Sequence, residues 1–252
     1  LKDIEASQRH NLHWSKKIRA VLLRQDPASL VAYFQPLQDF ASKKIGKYEC
    51  LVRLRDEAQV WSPANFLTAA KNLALLPEIT AAMVAAVAHP MQENDADFSL
   101  NITAQDLTGR ELHLLLDRHI VGNGIAPGRL ILELLEDEDL AEHQDYLATL
   151  RAAGYRLAID DFGAGYSNFR QLQHTHPDFL KIDGSLVKAL EHSDRNLPVI
   201  ESLLGYARAI GAKTVAEYVS GKAIYDKLAH LGVDYAQGYY IGKPAPWSDV
   251  QA

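Results

Sequence analysis

The sequence predicts an α/β fold, a TIM-like (β/α)8 barrel whose first strand runs antiparallel to its neighbours. Three observations carry this. Eight short apolar runs are separated, after the first pair, by stretches of helical periodicity, the alternation expected of a parallel sheet. The first two runs are joined only by Gln38 to Gly46, too little chain for a crossover helix, so they pair as antiparallel neighbours. Nearly every run also carries a polar or charged residue within it or at its end, where barrels of this class gather their active sites. The competing fold is an open doubly wound sheet, but no glycine-rich nucleotide fingerprint follows an early strand.

Residues 1–29 read as a helical lead-in, with Trp14, Ile18, Val21 and Leu22 at helical spacing among Lys16, Lys17 and Arg19. With Leu1 rather than Met at its head, the chain is expected to be a piece of a longer protein and the lead-in a connector from an upstream domain. Residues 30–252 form one barrel domain, since no repeat or linker interrupts them. Strands are predicted over 30–37 and 47–53. Ser62 and Pro63 then open a helix as cap and first-turn residue, and an alanine-rich helix follows over 76–89. Next come a strand over 97–102, a helix over 103–117, a strand over 129–134 and a helix over 139–153 that stops at Gly154. A strand over 155–160 is followed by a short helix over 168–174 and a strand over 178–183. The helix over 197–210 stops at Gly211, the strand over 213–217 follows, the helix over 222–231 stops at Gly232, and the last strand spans 233–237.

The 252 residues are 48% hydrophobic and 23% charged, an ordinary globular composition. A formal net charge of −6 argues against a nonspecific nucleic-acid binder, which is usually basic. A single cysteine, Cys50, rules out an internal disulfide and fits a cytoplasmic setting. The longest apolar stretch, 79–91, is too short to span a bilayer, so no membrane insertion by this chain is expected.

The chemistry concentrates at the strand ends. Leu157-Ala158-Ile159-Asp160-Asp161-Phe162-Gly163-Ala164-Gly165 runs from an apolar strand into two adjacent carboxylates and a loop with two glycines. Neighbouring side chains of a strand point to opposite faces, so both acids can serve one site only if the chain turns there. Gly163 and Gly165 permit that turn. Glu49, Asn101, Glu133, Asp183, Lys181, Glu217 and Gln237 stand at corresponding places in other strands. Six carboxylates packed together repel one another unless protons or cations intervene. Oxygen donors without cysteine or histidine select hard cations such as Mg²⁺, Mn²⁺ or Ca²⁺ over zinc, and the set suits two-metal phosphodiester hydrolysis. The ten histidines show no ligand spacing at strand ends; His174 and His176 are expected at the surface, Trp61 and Trp247 as packing or rim residues, and Cys50 as an inert core thiol.

Tyr33-Phe34-Gln35-Pro36, Glu49-Cys50-Leu51-Val52-Arg53, Asn101 with Thr103, Glu133-Leu134-Leu135-Glu136, the Asp160 to Ser167 loop, Lys181-Ile182-Asp183, Ala216-Glu217 and Gln237-Gly238-Tyr239-Tyr240 together resemble the EAL domain, the bacterial cyclic di-GMP phosphodiesterase family, from about Tyr33 to Pro246. The resemblance implies that Glu49, Asn101, Glu133 and Asp160 hold one metal, that Asp160 bridges to a second, and that Asp161 and Asp183 lie beside it. It implies Mg²⁺ or Mn²⁺ as a pair of ions, with Ca²⁺ inhibitory. Lys181 would orient the attacking water, Glu217 would be either the general base or a partner of the second metal, and Gln237 would position the lysine or a water. Arg53, Gln35 and Leu51 would bind cyclic di-GMP, and Glu136 would pin the loop from Phe162 to Asn168. The product would be linear pGpG. The family also implies a homodimer formed near 168–194, upstream sensory or signalling domains, and cytoplasmic placement even where the full protein is membrane-anchored. The chain departs from the family at Cys50 and Ala164, at Leu135, and at Tyr218 and Ser220, which replace a glycine and a glutamate. The last two flank the loop after Glu217 and are expected to displace it, so a catalytically weak or inactive cyclic di-GMP receptor is the alternative reading.

Overall fold

The link after the first apolar run folds back because Asp39 organises it. Its Oδ1 accepts from the Ala41 and Ser42 amides at 2.8 and 2.7 Å, and its own amide donates to the Lys44 carbonyl at 3.0 Å. The result is the expected antiparallel pair, β1 (Ser29–Asp39) on β2 (Ile45–Arg55). The structure, a computed structural model, describes residues 2–23, 29–56, 59–136, 140–163 and 175–250.

The remaining described strands are β3 (Val60–Trp61), β4 (Asp97–Asn101), β5 (Leu130–Leu135), β6 (Arg156–Phe162), β7 (Phe179–Ile182), β8 (Lys213–Ala216) and β9 (Tyr235–Gln237). Their order is β1-β9-β8-β7-β6-β5-β4-β2, and the β1–β2 pairing closes the ring; β3 adds to the edge of β2. β1 is antiparallel to both β2 and β9, and the other pairs around the ring are parallel. The predicted barrel with its reversed first strand is therefore the fold. β3 is too short for its pattern to show in the sequence; it exists because the ladder from β2 reaches Trp61.

The described helices are α1 (Lys2–Leu22), α2 (Pro63–Asn72), α3 (Leu76–Glu93), α4 (Glu111–His119), α5 (Gln144–Ala152), α6 (Gly184–Ala189), α7 (Leu197–Ile210), α8 (Lys222–Leu231) and α9 (Trp247–Val250). Gly211 and Gly232 end α7 and α8 with φ of 76° and 81°, the left-handed stop expected of them. The helix predicted over 103–117 begins only at Glu111. Asp106 takes both the amide and the hydroxyl of Thr103, at 2.7 and 2.8 Å, and holds the preceding residues in turns. Ser62 stands at the N-cap of α2, but its hydroxyl donates to the Asn65 side chain rather than accepting from the backbone. The helix expected over 168–174 lies outside the described residues.

Most strand residues are buried on both faces, which is why the strands read as apolar runs rather than alternations. Between barrel and helices lies the larger core, built on residues such as Phe66, Phe98, Leu132, Phe162 and Leu204. α1 belongs to it: Trp14 and Ile18 are buried, and the Trp14 ring lies 5.0 Å from Trp61 and 6.2 Å from Phe66. Trp247 packs at 5.2–5.4 Å against Phe34, Tyr48 and Phe98, as its packing role requires. Among the described residues no helix is long and apolar enough to cross a membrane.

Candidate active site at the barrel mouth

Inside the barrel a second, smaller cluster contains Leu37, Ile131, Ala158, Phe179 and Val215, with Tyr235 against it. Strand side chains repeat every two residues on one face. Two residues further along the parallel strands, the same inward rows reach Glu133, Asp160, Lys181, Glu217 and Gln237. On the reversed strand the corresponding residue comes two earlier, at Gln35. An apolar layer thus plugs the barrel and a polar layer sits on it at the mouth. Below, Lys47 closes the plug: its ammonium pairs with Asp97, and it lies 5.1 Å over the Phe179 ring and 5.2 Å over Tyr235.

Lys181, 1% exposed, is the hub of the polar layer. Its Nζ lies 2.7 Å from Glu133 Oε2, 3.0 Å from Asp160 Oδ1, 3.0 Å from Glu217 Oε1 and 3.3 Å from Glu49 Oε2. Glu49 is held on both oxygens: Asn101 Nδ2 donates to Oε1 at 3.0 Å and Gln237 Nε2 to Oε2 at 2.5 Å. Gln237 Nε2 also reaches Gln35 Oε1 at 3.2 Å, and its Oε1 is buried without a hydrogen-bond partner among the described residues.

Four carboxylates around one ammonium leave excess negative charge, and the acids respond unequally. Burial pushes Glu49 up, but Lys181 and the donors Gln237 and Asn101 outweigh it and hold Glu49 below its ordinary value. Glu133 is pushed up to about 8 by burial against the pull of Lys181, with Glu49 and Asp160 adding to the rise. Burial, with Asp160 and Glu49, likewise brings Glu217 to about 8. Asp161 rises to about 6, through burial and then Asp160 and Asp183. Burial opposes the charge on Lys181, yet Asp160, Glu133, Glu217 and Glu49 raise it well above the usual lysine range.

The adjacent acids share the site in a way the glycines alone do not explain. The turn falls on Asp161 itself, which has φ of 55°, and the β6–β7 register shifts between Ile159 and Phe162. Asp161 also donates its amide to Asp160 Oδ1 at 2.9 Å. Gly163 then continues with φ of 95° and donates its amide to Glu136 Oε2 at 2.9 Å; Gly165 and the remainder of the loop to 174 lie outside the described residues. Two acid trios result, Glu49–Glu133–Asp160 and Asp160–Asp161–Glu217, each with one oxygen per residue within 4.8 Å of the others. Asp160 is common to both.

Asp183 is placed differently from its strand-end neighbours. It caps α6, accepting from the Ser185 amide at 2.9 Å and from the Ser185 hydroxyl, and belongs to neither trio. The Asp183-Gly184-Ser185 sequence is a cap signature that could have revealed this.

Above the acids opens a cavity of about 900 Å³. Gln35, Glu49, Asn101, Asp160, Asp161, Glu217 and Gln237 form its floor, while Leu51 and Arg53 lie in its wall. Arg53 donates Nη1 to the Val52 carbonyl at 2.9 Å and stands 5.5 Å over the Tyr33 ring. Three charged wall residues escaped the sequence reading: Lys71 of α2, and Lys188 and Glu191 at the end of α6. They look like solvated helix residues, and only closure of the ring brings them to the cavity. Tyr218 and Ser220 line the cavity too, but Glu217 remains against Lys181 despite them.

Residues 19–244 match the EAL domain. The chain belongs to the EAL family. Among relatives, cyclic di-GMP phosphodiesterase PdeB of Shewanella oneidensis is 29% identical over 95% of this chain and 29% of its own length. The probable cyclic di-GMP phosphodiesterase PdeA of Escherichia coli is 32% identical over 89% of this chain and 32% of its own. The chain therefore spans about a third of the length of these two relatives. Among solved structures, a Klebsiella pneumoniae BlrP1 complex with manganese and cyclic di-GMP is 26% identical, with a TM-score of 0.75 over 87% of this chain and 56% of the other.

Proposed function

We propose that this EAL domain hydrolyses cyclic di-GMP to linear pGpG with two divalent cations, Mg²⁺ or Mn²⁺. The observation that carries the reading is the sharing of Asp160 between two trios of acids on a cavity floor. The donor set fits such ions: among the described residues every candidate ligand atom is oxygen, and the buried acids outnumber the one ammonium found among them. Glu49, Asn101, Glu133 and Asp160 would hold one ion, and Asp160 with Asp161 the other, while Asp183 acts through Asp161. When bound, the pair neutralises the acid cluster, polarises a phosphoryl oxygen and lowers the pKa of nearby water.

The chain's own residues do the rest. Lys181 keeps the four acids converged and aims the water oxygen at phosphorus. Glu217, protonated near neutrality until bound cations bring it into ionised form, then takes the water's proton, a role suited to a carboxyl whose surroundings raise its proton affinity. The water oxygen bonds to phosphorus as the bond from phosphorus to one ribose oxygen breaks; that oxygen takes up a proton from solvent, to which Glu217 later returns its own, and the ring of the dinucleotide opens. Gln237 and Asn101 fix Glu49 from both sides. Arg53 supplies a planar donor for a non-reacting phosphate, Gln35 and Leu51 line the substrate's seat, and Glu136 anchors the loop at Gly163. The domain would act in the cytoplasm, as a homodimer, beside further sensory domains; the Shewanella PdeB and the Escherichia coli PdeA each carry about two thirds or more of their length outside the matched region.

The test is turnover of cyclic di-GMP with Mg²⁺ or Mn²⁺, beside Glu49→Ala and a Ca²⁺ control. Metal-dependent pGpG formation that disappears in the variant supports the proposal. Tight binding without turnover makes the domain a receptor, and neither binding nor turnover overturns the reading.

A further inference from the structure

Tyr218 is built into the cavity wall in a way that packing alone does not require. It follows Glu217 directly and lines the same cavity as Asp160 and Asp161. Its φ is 54°, a left-handed conformation that is an outlier for a bulky side chain. Its ring fits where α6 has no side chain: a Cβ on Gly184 would lie 2.0 Å from Tyr218 Cδ2. One turn along the same helix, the Lys188 Nζ stands 3.6 Å from the ring centroid, close enough for a cation–π contact. Held on these sides, Tyr218 still exposes 57% of its surface. A ring placed only to fill the core would be buried, and one left to chance would not adopt a left-handed backbone.

We infer that Tyr218, backed by Lys188, is a stacking platform for one purine base of the dinucleotide substrate. The inference rests on the functional reading above and adds a specificity element to it. A base stacked on the open part of the ring sits one residue from Glu217, so its seating also sets how far the phosphate reaches over the acid floor. Lys188 adds a donor beside the platform that suits the acceptor edge of guanine. The Ser220 hydroxyl bonds the Glu191 carboxylate and ties the loop after Glu217 to the end of α6, keeping ring and helix together.

The experiment measures cyclic di-GMP binding by calorimetry in Ca²⁺ buffer, and the fluorescence of an analogue carrying 2-aminopurine in place of one guanine. Tyr218→Phe keeps the π-face, so it binds within about twofold of wild type and quenches the probe. Tyr218→Gly loses the platform and binds roughly five- to a hundredfold more weakly, from the range measured for single base–aromatic stacks, with quenching reduced. Its thermal midpoint does not fall, because glycine accepts the left-handed backbone without strain. If the glycine variant is unfolded, Tyr218→Leu keeps bulk without the aromatic face and shows the same loss. Wild-type and Tyr218→Gly binding with equal affinity and equal quenching overturns the platform while leaving the functional reading intact. Failure of the wild type to bind overturns the functional reading and the platform with it.

Discussion

Replacing Lys181 by Met keeps most of the side-chain volume and removes an ammonium that lies 2.7–3.3 Å from four acids. A unit-charge pair 3 Å apart is worth about 5 kcal/mol at an effective dielectric of 20. The four pairs do not add at that rate, because Glu133 and Glu217, at about 8, already carry protons near neutrality. The net penalty is instead that of orphaning buried charge, about 3–5 kcal/mol where the acids are ionised. An acid whose folded-state pKa lies above its unfolded one costs stability as pH rises toward the folded value. Removing Lys181 raises these values further, so the penalty grows with pH. At pH 8.5 the melting midpoint should fall by about 6–20 °C, at 2–4 °C per kcal/mol for a domain of this size; at pH 6 the fall should be well under half of that. Millimolar Mg²⁺ should restore part of the loss at pH 8.5, since it replaces the missing positive charge. Differential scanning calorimetry of both proteins at the two pH values, with and without Mg²⁺, reads all of this. An equal loss at both pH values, indifferent to Mg²⁺, would show that Lys181 acts by packing and refute the electrostatic reasoning.

Metal loading at pH 7 should release on the order of one to two protons, as Glu133 and Glu217 are brought into ionised form; calorimetry in two buffers of different ionisation enthalpy counts them, and zero release would contradict the raised acids. Gly238→Ala would place a Cβ 2.2 Å from the Val219 carbonyl oxygen, in the contact where Val219 and Gln237 share a backbone hydrogen bond of 2.9 Å. The loop after Glu217 must then shift, and kcat/KM should fall about a hundredfold with the circular dichroism spectrum unchanged. Trp14→Ala should cost about 3–5 kcal/mol in urea denaturation, by analogy with other buried aromatics, in a single transition; a separate early transition would show that α1 folds apart from the barrel.

The barrel was legible because its strands obey a two-residue rule that survives translation into sequence. On the parallel strands an inward apolar residue is followed, two places on, by a group able to work at the mouth, as in Ile131 to Glu133 and Phe179 to Lys181. The reversed strand was legible because the link after Leu37 is too short to cross over. Less was visible where backbone conformation rather than residue type decides. Nothing in the letters Asp160-Asp161 says that the second residue adopts φ of 55°, two places before a glycine that could take such a turn without strain. Asp183 has the chemistry of a ligand and the position of a helix cap, and the structure uses it as the cap. Tyr218 was expected to displace Glu217; the absence of a side chain at Gly184, a contact between distant segments, gives its ring a place and leaves Glu217 3.0 Å from Lys181. Lys71, Lys188 and Glu191 became cavity residues only when α2 and the end of α6 met around the strand ends.

The reversed first strand has a consequence beyond topology. In an all-parallel barrel the chain would enter at the closed base, far from the chemistry. Here β1 descends from the rim, so Gln35 precedes Leu37 and the start of β1 pairs with Arg55 above the acid floor. The helix before it rests through Trp14 on Trp61 and on Phe66 of α2, whose Leu67, Thr68 and Lys71 form the cavity wall. A push along that helix would therefore reach the wall through one layer of aromatic rings, whereas a push on the plugged base would have to cross the whole barrel.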